Sequence, residues 1–177
     1  MLIINNHIYL DLIKKSDAER LSLIASDSDI SKNVGDTFPF PYTLKDAERW
    51  IDHSHDVWNS WTNKLYGIYI NNIYAGNIGR EQKSPNGRYR HDFHIGYRLW
   101  REYRGKGYMT QILEKFSDHL FQTIPLCHRQ YSAVYGWNPS SRHVMEKCGF
   151  TLEAEFKESV AWEGVFYDEW ILGKVRT

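Results

Sequence analysis

The sequence predicts an α+β fold, a single domain with one central mixed sheet and helices on both faces. Three observations carry this. Leu65 to Ile70, Ile73 to Ile78 and about His91 to Leu99 are short apolar or alternating stretches joined by turn residues, which reads as a strand meander. A strand, a glycine loop and a helix then follow one another through Tyr97 to Phe121. The 177 residues contain no repeat, low-complexity tract or Pro/Ser-rich linker, so one domain covering residues 1–177 is expected.

Taken in order, Ile8 to Ile13 alternates as a strand, and Ser16 or Asp17 can cap a helix through about Ala25. Asp27 to Tyr42, rich in Asp, Gly and Pro, reads as a loop. Thr43 can cap a second helix over Leu44 to Asp56, where Leu44, Ala47, Trp50 and Ile51 share a face. Asn71-Asn72 tolerates the positive φ of a two-residue hairpin, and Pro85-Asn86-Gly87 marks the next turn. In the third strand Phe93, Ile95, Tyr97 and Leu99 share one face, while Asp92, His94, Gly96 and Arg98 share an unusually polar one. Met109, Ile112, Leu113, Phe116 and Leu120 give the helix from Tyr108 to Phe121 its apolar stripe. Strand Arg129 to Tyr135, helix Pro139 to Lys147, and strands Phe150 to Lys157 and about Val165 to Leu172 complete the chain.

Composition narrows the function. Lys plus Arg and Asp plus Glu are both 22, so no global field draws the chain onto nucleic acid or an anionic membrane, and neither partner is expected. The first residues lack the flank and core of a secretory signal, and no apolar run approaches the ~20 residues of a membrane span. A soluble cytoplasmic protein is expected. Only Cys127 and Cys148 are present, too few for a disulfide framework or a zinc site. His53 and His55 fall on different faces of their helix, so no metal is expected.

Arg104-Gly105-Lys106-Gly107 lies between a strand and a helix. Backbone N–H groups and the positive end of the helix dipole converge at such a junction, which suits a pyrophosphate. Gly105 and Gly107 remove Cβ atoms from the approach, and Arg104 and Lys106 can add charge. A P-loop is excluded because Gly107, not Ser or Thr, follows Lys106, and Thr110 occupies the third glycine position of a dinucleotide fingerprint.

Asn138 and Ser141 open the next helix, and Glu146-Lys147-Cys148-Gly149-Phe150 closes it, a pattern that an N-cap and a glycine stop explain by themselves. In combination, Ile95-Gly96-Tyr97, Arg104-Gly105-Lys106-Gly107-Tyr108, Asn138-x-x-Ser141-Arg142 and Glu146-Lys147-x-Gly149-Phe150 are much more specific. Together with Phe40-Pro41-Tyr42-Thr43, they make the chain, from Ile8 to Leu172, resemble the GNAT superfamily of N-acetyltransferases, in particular its RimJ/RimL type.

That resemblance implies a twisted, mostly antiparallel GNAT sheet and acetyl-CoA as cosubstrate. The backbone of Arg104, Gly105, Lys106, Gly107, Tyr108 and Met109 would hold the pyrophosphate. The pantetheine arm would run beside Tyr97, Leu99 and Trp100, with Asn138 touching it and Ser141 near the sulfur. Arg142 would reach phosphate or face solvent. Glu102 stands where the general pattern has Gln or Arg, and His94 where many relatives carry Glu before Ile-Gly-Tyr.

An acceptor amine must lose a proton before it attacks a thioester. His94 is the first candidate base, by its intrinsic pKa and its place on the polar strand face, against the alternative of a hydrogen-bonded structural histidine. Asp92 could share that role or orient the imidazole, and Glu158 or Glu163 could supply a base from the late loop. Backbone N–H groups near Tyr97 could stabilise the oxyanion, and Ser141 or Tyr135 could protonate the departing thiolate. Neither cysteine has an evident base, so direct transfer is expected. The acceptor is read as a protein N-terminal α-amine. A small amine such as a polyamine or aminoglycoside, or an acyl-CoA-binding module without turnover, is the alternative, and a homodimer stays open. Phe38, Phe40, Tyr42, Trp50, Trp58 and Trp61 could line an acceptor cleft or pack as core, and Asp27, Asp29 and Asp36 could attract a cationic amine or be solvated.

Overall fold

The computed structural model describes residues 1–33 and 38–177, apart from the side chains of Asp29 and Ser31. Its strands are β1 (Leu2–Ile3), β2 (Ile8–Asp11), β3 (Asn63–Ile70), β4 (Ile73–Gln82), β5 (Asp92–Leu99), β6 (Arg129–Tyr135), β7 (Thr151–Trp162) and β8 (Val165–Val175). Its helices are α1 (Ala18–Ala25), α2 (Ser28–Ser31), α3 (Leu44–Asp56), α4 (Tyr108–Thr123) and α5 (Pro139–Lys147). The strands are hydrogen-bonded in the order β1-β2-β3-β4-β5-β6-β8-β7. The β5–β6 pair is parallel, whereas β1–β2, β2–β3, β6–β8 and β7–β8 are antiparallel, so the expected mixed sheet is present.

The chain divides into two compact units, Met1–Arg80 with Gly96–Lys106, and Glu81–Ile95 with Gly107–Thr177. In the first, Ala18, Leu21, Ile24 and Ala25 of α1 and Ala47 and Ile51 of α3 bury against Ile13, Tyr69 and Tyr74. Thr43 caps α3 as expected and forms a reciprocal capping box with Asp46. Leu44, expected on the apolar face, is 44% exposed: it opens the helix a turn ahead of Ala47, the first buried residue of α3. The expected loop after Asp27 contains the short helix α2, for which Ile30 supplies a buried anchor. Asn71 and Asn72 adopt φ 50° and 63°, the left-handed pair a two-residue hairpin requires.

In the second unit α4 buries Met109, Ile112, Leu113, Phe116 and Leu120, the stripe its periodicity indicates. Gln130 Nε2 donates to Ser117 O at 2.9 Å, and Cys148 Sγ donates to Thr110 O at 3.4 Å, tying β6 and the end of α5 to this helix. The last two strands run longer than the sequence suggests, since they form one hairpin closed at Glu163-Gly164, with both residues at positive φ. Bulges between Leu152 and Ala154 and between Phe156 and Val160 break the alternation that would have revealed its length. Among the described residues no helix is long and apolar enough to cross a membrane.

Candidate active site

The glycine loop enters α4 through two residues in the left-handed region. Gly105 and Gly107 adopt φ +72° and +74°, a region in which a Cβ is strained, and a Cβ on either would meet no atom within 4 Å. Gly107 is the N-cap of α4, with no side-chain cap and no acidic residue in the first turn. In α3, by contrast, Thr43 and Asp46 satisfy the first amides. The start of α4 therefore keeps the partial positive charge that an anion would neutralise.

Arg104 has partners within its own unit. Its Nε donates to Leu99 O at 2.9 Å, and its Nη2 lies 3.9 Å from Asp27. Asp27 also takes Arg101 at 2.9 Å, so this loop acid is ion-paired and not held ready for a cationic amine. Asp36 and the Asp29 side chain fall outside the described residues. In the same unit, Trp100 lies under the Arg20 guanidinium at 4.1 Å, Leu99 is buried, and Tyr97 is half-buried. Trp50 and Phe38 flank Arg98, Phe38 stacks on Tyr42, and Trp58 packs edge-on against Tyr66. Phe40 and Trp61 are exposed, so the aromatic set does not form one lining.

In the second unit, β5 and β6 pair only through Asp92–Arg129, Phe93–Gln130 and His94–Tyr131. The ladder stops at His94 although both strands continue. His94 is half-buried and meets Tyr131 edge to face, with ring centroids 5.4 Å apart. Burial pushes its pKa below the ordinary histidine value, and the Glu81 carboxylate pulls the other way. A histidine held mostly neutral is chemically suited to accept a proton.

Asp92 does not orient that imidazole. Its carboxylate accepts from Arg129 Nη1 at 3.0 Å. Asn138 accepts from the Ser141 backbone N–H at 3.2 Å, the capping role its position suggested, with Pro139 opening α5. Arg142 pairs at the surface with Glu146 at 2.8 Å and stacks on Trp170 at 4.7 Å. Tyr135 packs on Trp137 at 4.6 Å. Glu158 and Glu163 both sit at positive φ in the β7–β8 hairpin.

Cys148 is buried, and its pKa is pushed up to about 11 by burial, with Glu114 adding to the rise; Cys127 is buried as well. A thiol in that state is a poor nucleophile. An open groove of about 550 Å³ lies along Phe121, Gly149, Thr151, Glu153, Lys174 and Arg176, and contains none of the candidate catalytic or coenzyme-binding residues. Those the sequence reading missed are Tyr131 and Glu81, which flank His94 on its neighbouring strands and belong to no motif.

The match to an acetyltransferase (GNAT) domain makes the protein an acyl-CoA-dependent N-acetyltransferase, with acetyl-CoA as acyl donor and an amine as acceptor, and a mixed sheet followed by an uncapped glycine-led helix agrees with it. The acetyltransferase (GNAT) domain matches residues 7–151, and the chain belongs to that family. It is 25% identical over 166 residues to the "Putative ribosomal N-acetyltransferase YdaF" of Bacillus subtilis strain 168, covering 93% of this chain and 89% of that protein. Among solved structures, the L7/L12 α-N-protein acetyltransferase RimL in complex with coenzyme A superimposes with a TM-score of 0.85 at 18% identity, over 98% of this chain and 97% of that one. The microcin C7 self-immunity acetyltransferase MccE, in complex with acetyl-CoA and AMP, gives 0.82 at 24%, over 98% and 94%.

Proposed function

We propose that residues 1–177 act as one catalytic domain in the cytoplasm, moving the acetyl group of acetyl-CoA directly onto a protein N-terminal α-amine with His94 as the base. The observation that carries the chemistry is the half-buried His94 at the last rung of the β5–β6 ladder, where burial keeps its imidazole neutral. The choice of acceptor rests on the likeness to YdaF, which spans nearly the whole chain.

In this reading the amides of Arg104 to Met109 hold the pyrophosphate, while Tyr97, Leu99, Trp100 and Asn138 flank the pantetheine arm. Holding the thioester against the acceptor raises the effective concentration of the reactants. His94 takes the ammonium proton, and the freed lone pair attacks the carbonyl. Backbone N–H groups near Tyr97 receive the oxyanion, and Ser141 or Tyr135 returns a proton to the thiolate. Since neither buried thiol is a competent nucleophile, no acetyl-enzyme is formed.

The test is coenzyme A thiol release with peptides carrying free α-amines, against polyamines and aminoglycosides. Peptide kcat/KM at least about ten-fold above that of every small amine is the expected outcome, and the reverse ranking sinks the assignment. His94→Gln is expected to lower kcat by roughly 10²-fold or more and remove the acid limb of the pH profile.

A further inference from the structure

Glu81 and His94 stand opposite each other across the hairpin that joins β4 to β5. Lys83 N–H donates to Asp92 O at 3.0 Å, which pairs those two residues. One pleat further from the turn, the antiparallel register brings Glu81 opposite His94. The same register holds at the far end of the two strands, where Trp100 N–H donates to Ala75 O at 2.8 Å, so no net bulge intervenes. Side chains directly opposite project to one face with Cβ atoms about 5 Å apart. Tyr131 flanks His94 on the other side, and the three side chains form a row across three strands.

We propose that Glu81 is a positioning residue for His94, fixing the imidazole tautomer and strengthening the base that takes the acceptor's proton. The inference rests on His94 being that base. A carboxylate accepting one ring N–H leaves the other ring nitrogen as a lone-pair acceptor, and it stabilises the imidazolium once formed. The ammonium proton moves to His94, the amine lone pair forms the new C–N bond, the C–S bond breaks, and the thiolate takes up a proton. Glu81 stays ionised throughout.

The other groups facing His94 do not fill this role. On its own strand Asp92 is bound by Arg129, and that guanidinium on β6 is shared with Glu153. Lys83, just after β4, lies over the rings of Tyr89 at 4.7 Å and Tyr131 at 5.3 Å. The Tyr131 phenol, raised by burial above its ordinary value, is neutral throughout the working range. Glu81 is exposed and makes no ion pair among the described residues, and its charge acts on both His94 and Tyr131.

The experiment compares wild type, Glu81→Gln, Glu81→Lys and His94→Gln by the pH dependence of kcat and kcat/KM, and by NMR titration of His94 in the free enzyme. Loss of the carboxylate is expected to move both the acid limb and the His94 midpoint to lower pH, further for Lys than for Gln. At pH 8 kcat falls roughly three- to ten-fold, with the amine KM unchanged. A raised KM at constant kcat would mean that Glu81 only attracts the acceptor, and would overturn the positioning role. So would an unmoved midpoint in Glu81→Gln when His94→Gln does abolish the limb. If His94→Gln leaves the limb in place, the base assignment fails and the positioning role with it, whatever the NMR titration shows.

Discussion

Asp92 Oδ2 accepts from Arg129 Nη1 at 3.0 Å, and the same guanidinium reaches Glu153 through Nη2. Side-chain exposures of 16% for Asp92 and 24% for Arg129 place this pair largely out of water, where removing one partner strands the other. Asp92→Asn is therefore expected to lower stability by about 1–3 kcal/mol in urea unfolding. It should leave the pH limb of kcat/KM where it is in wild type. A displaced limb with unchanged stability would give Asp92 back the orienting role the sequence suggested.

Gly107 caps α4 at φ +74° and Gly105 precedes it at +72°. An L side chain in that region costs about 1–2 kcal/mol, even though the added Cβ would meet open space. Gly107→Ala is expected to raise the KM for acetyl-CoA about ten-fold or more while changing the acceptor KM less than two-fold. Equal effects on both constants would show that the loop does not hold the donor.

The capping box at Thr43 and Asp46 gives α3 a defined acid response. Hydrogen bonds from the Thr43 side chain and backbone, and then Arg49, hold the Asp46 carboxyl down to about 2, below its ordinary 3.8. A depressed carboxylate contributes stability that is fully present above pH 3.8 and is lost as pH falls toward 2. Asp46→Asn is expected to flatten the stability profile across that window and to leave it unchanged near pH 7 apart from a constant offset. A melting curve measured every half unit of pH distinguishes the two.

That box was half legible beforehand. Thr43 announced itself as a cap because helical periodicity began immediately after it, and the stripe from Met109 to Leu120 and the Asn71-Asn72 turn were equally plain, since each depends on near neighbours in sequence. The extent of β7 and β8 was not, because two bulges erase the alternation. At the site, the residues belonging to motifs were visible, yet their partners were not: Arg104 lies near Asp27, Arg142 pairs with Glu146, and Asp92 pairs with Arg129. Whereas Arg142–Glu146 is an i,i+4 pair local to α5, the Arg104–Asp27 and Arg129–Asp92 contacts join residues 77 and 37 positions apart and follow from register and packing that no local pattern encodes. Glu81 was hidden for the same reason. Its relation to His94 is a strand register, and only the turn at Pro85-Asn86-Gly87 hinted at it.

Cys148 has its thiol pushed up to about 11 by burial, so at pH 8 only about one in a thousand molecules carries the thiolate. Cys148→Ala is expected to retain at least half of wild-type kcat, and mass spectrometry of enzyme quenched during turnover should find no acetyl adduct. An adduct on Cys148 would replace direct transfer with a two-step route.

Arg98 donates through Nε to Asn77 Oδ1 at 3.0 Å, while its Nη2 is buried without a partner, as is Trp50 Nε1. The guanidinium lies 5.2 Å from the Trp50 ring and 5.3 Å from Phe38, and burial lowers its pKa. The rings offset part of the cost of a desolvated cation through their π faces, but the indole N–H adds an unmet donor. Trp50→Phe keeps a face for the cation and deletes that donor, so its loss of buried area is opposed by relief of about 1–3 kcal/mol of unmet hydrogen bonding. The variant is expected to unfold within about 1 kcal/mol of wild type. Trp50→Ala, which removes the face as well, should lose about 3–5 kcal/mol. If the two variants lose the same stability in urea, the ring contributes nothing to holding Arg98, and its charge must be compensated by a group other than these aromatics.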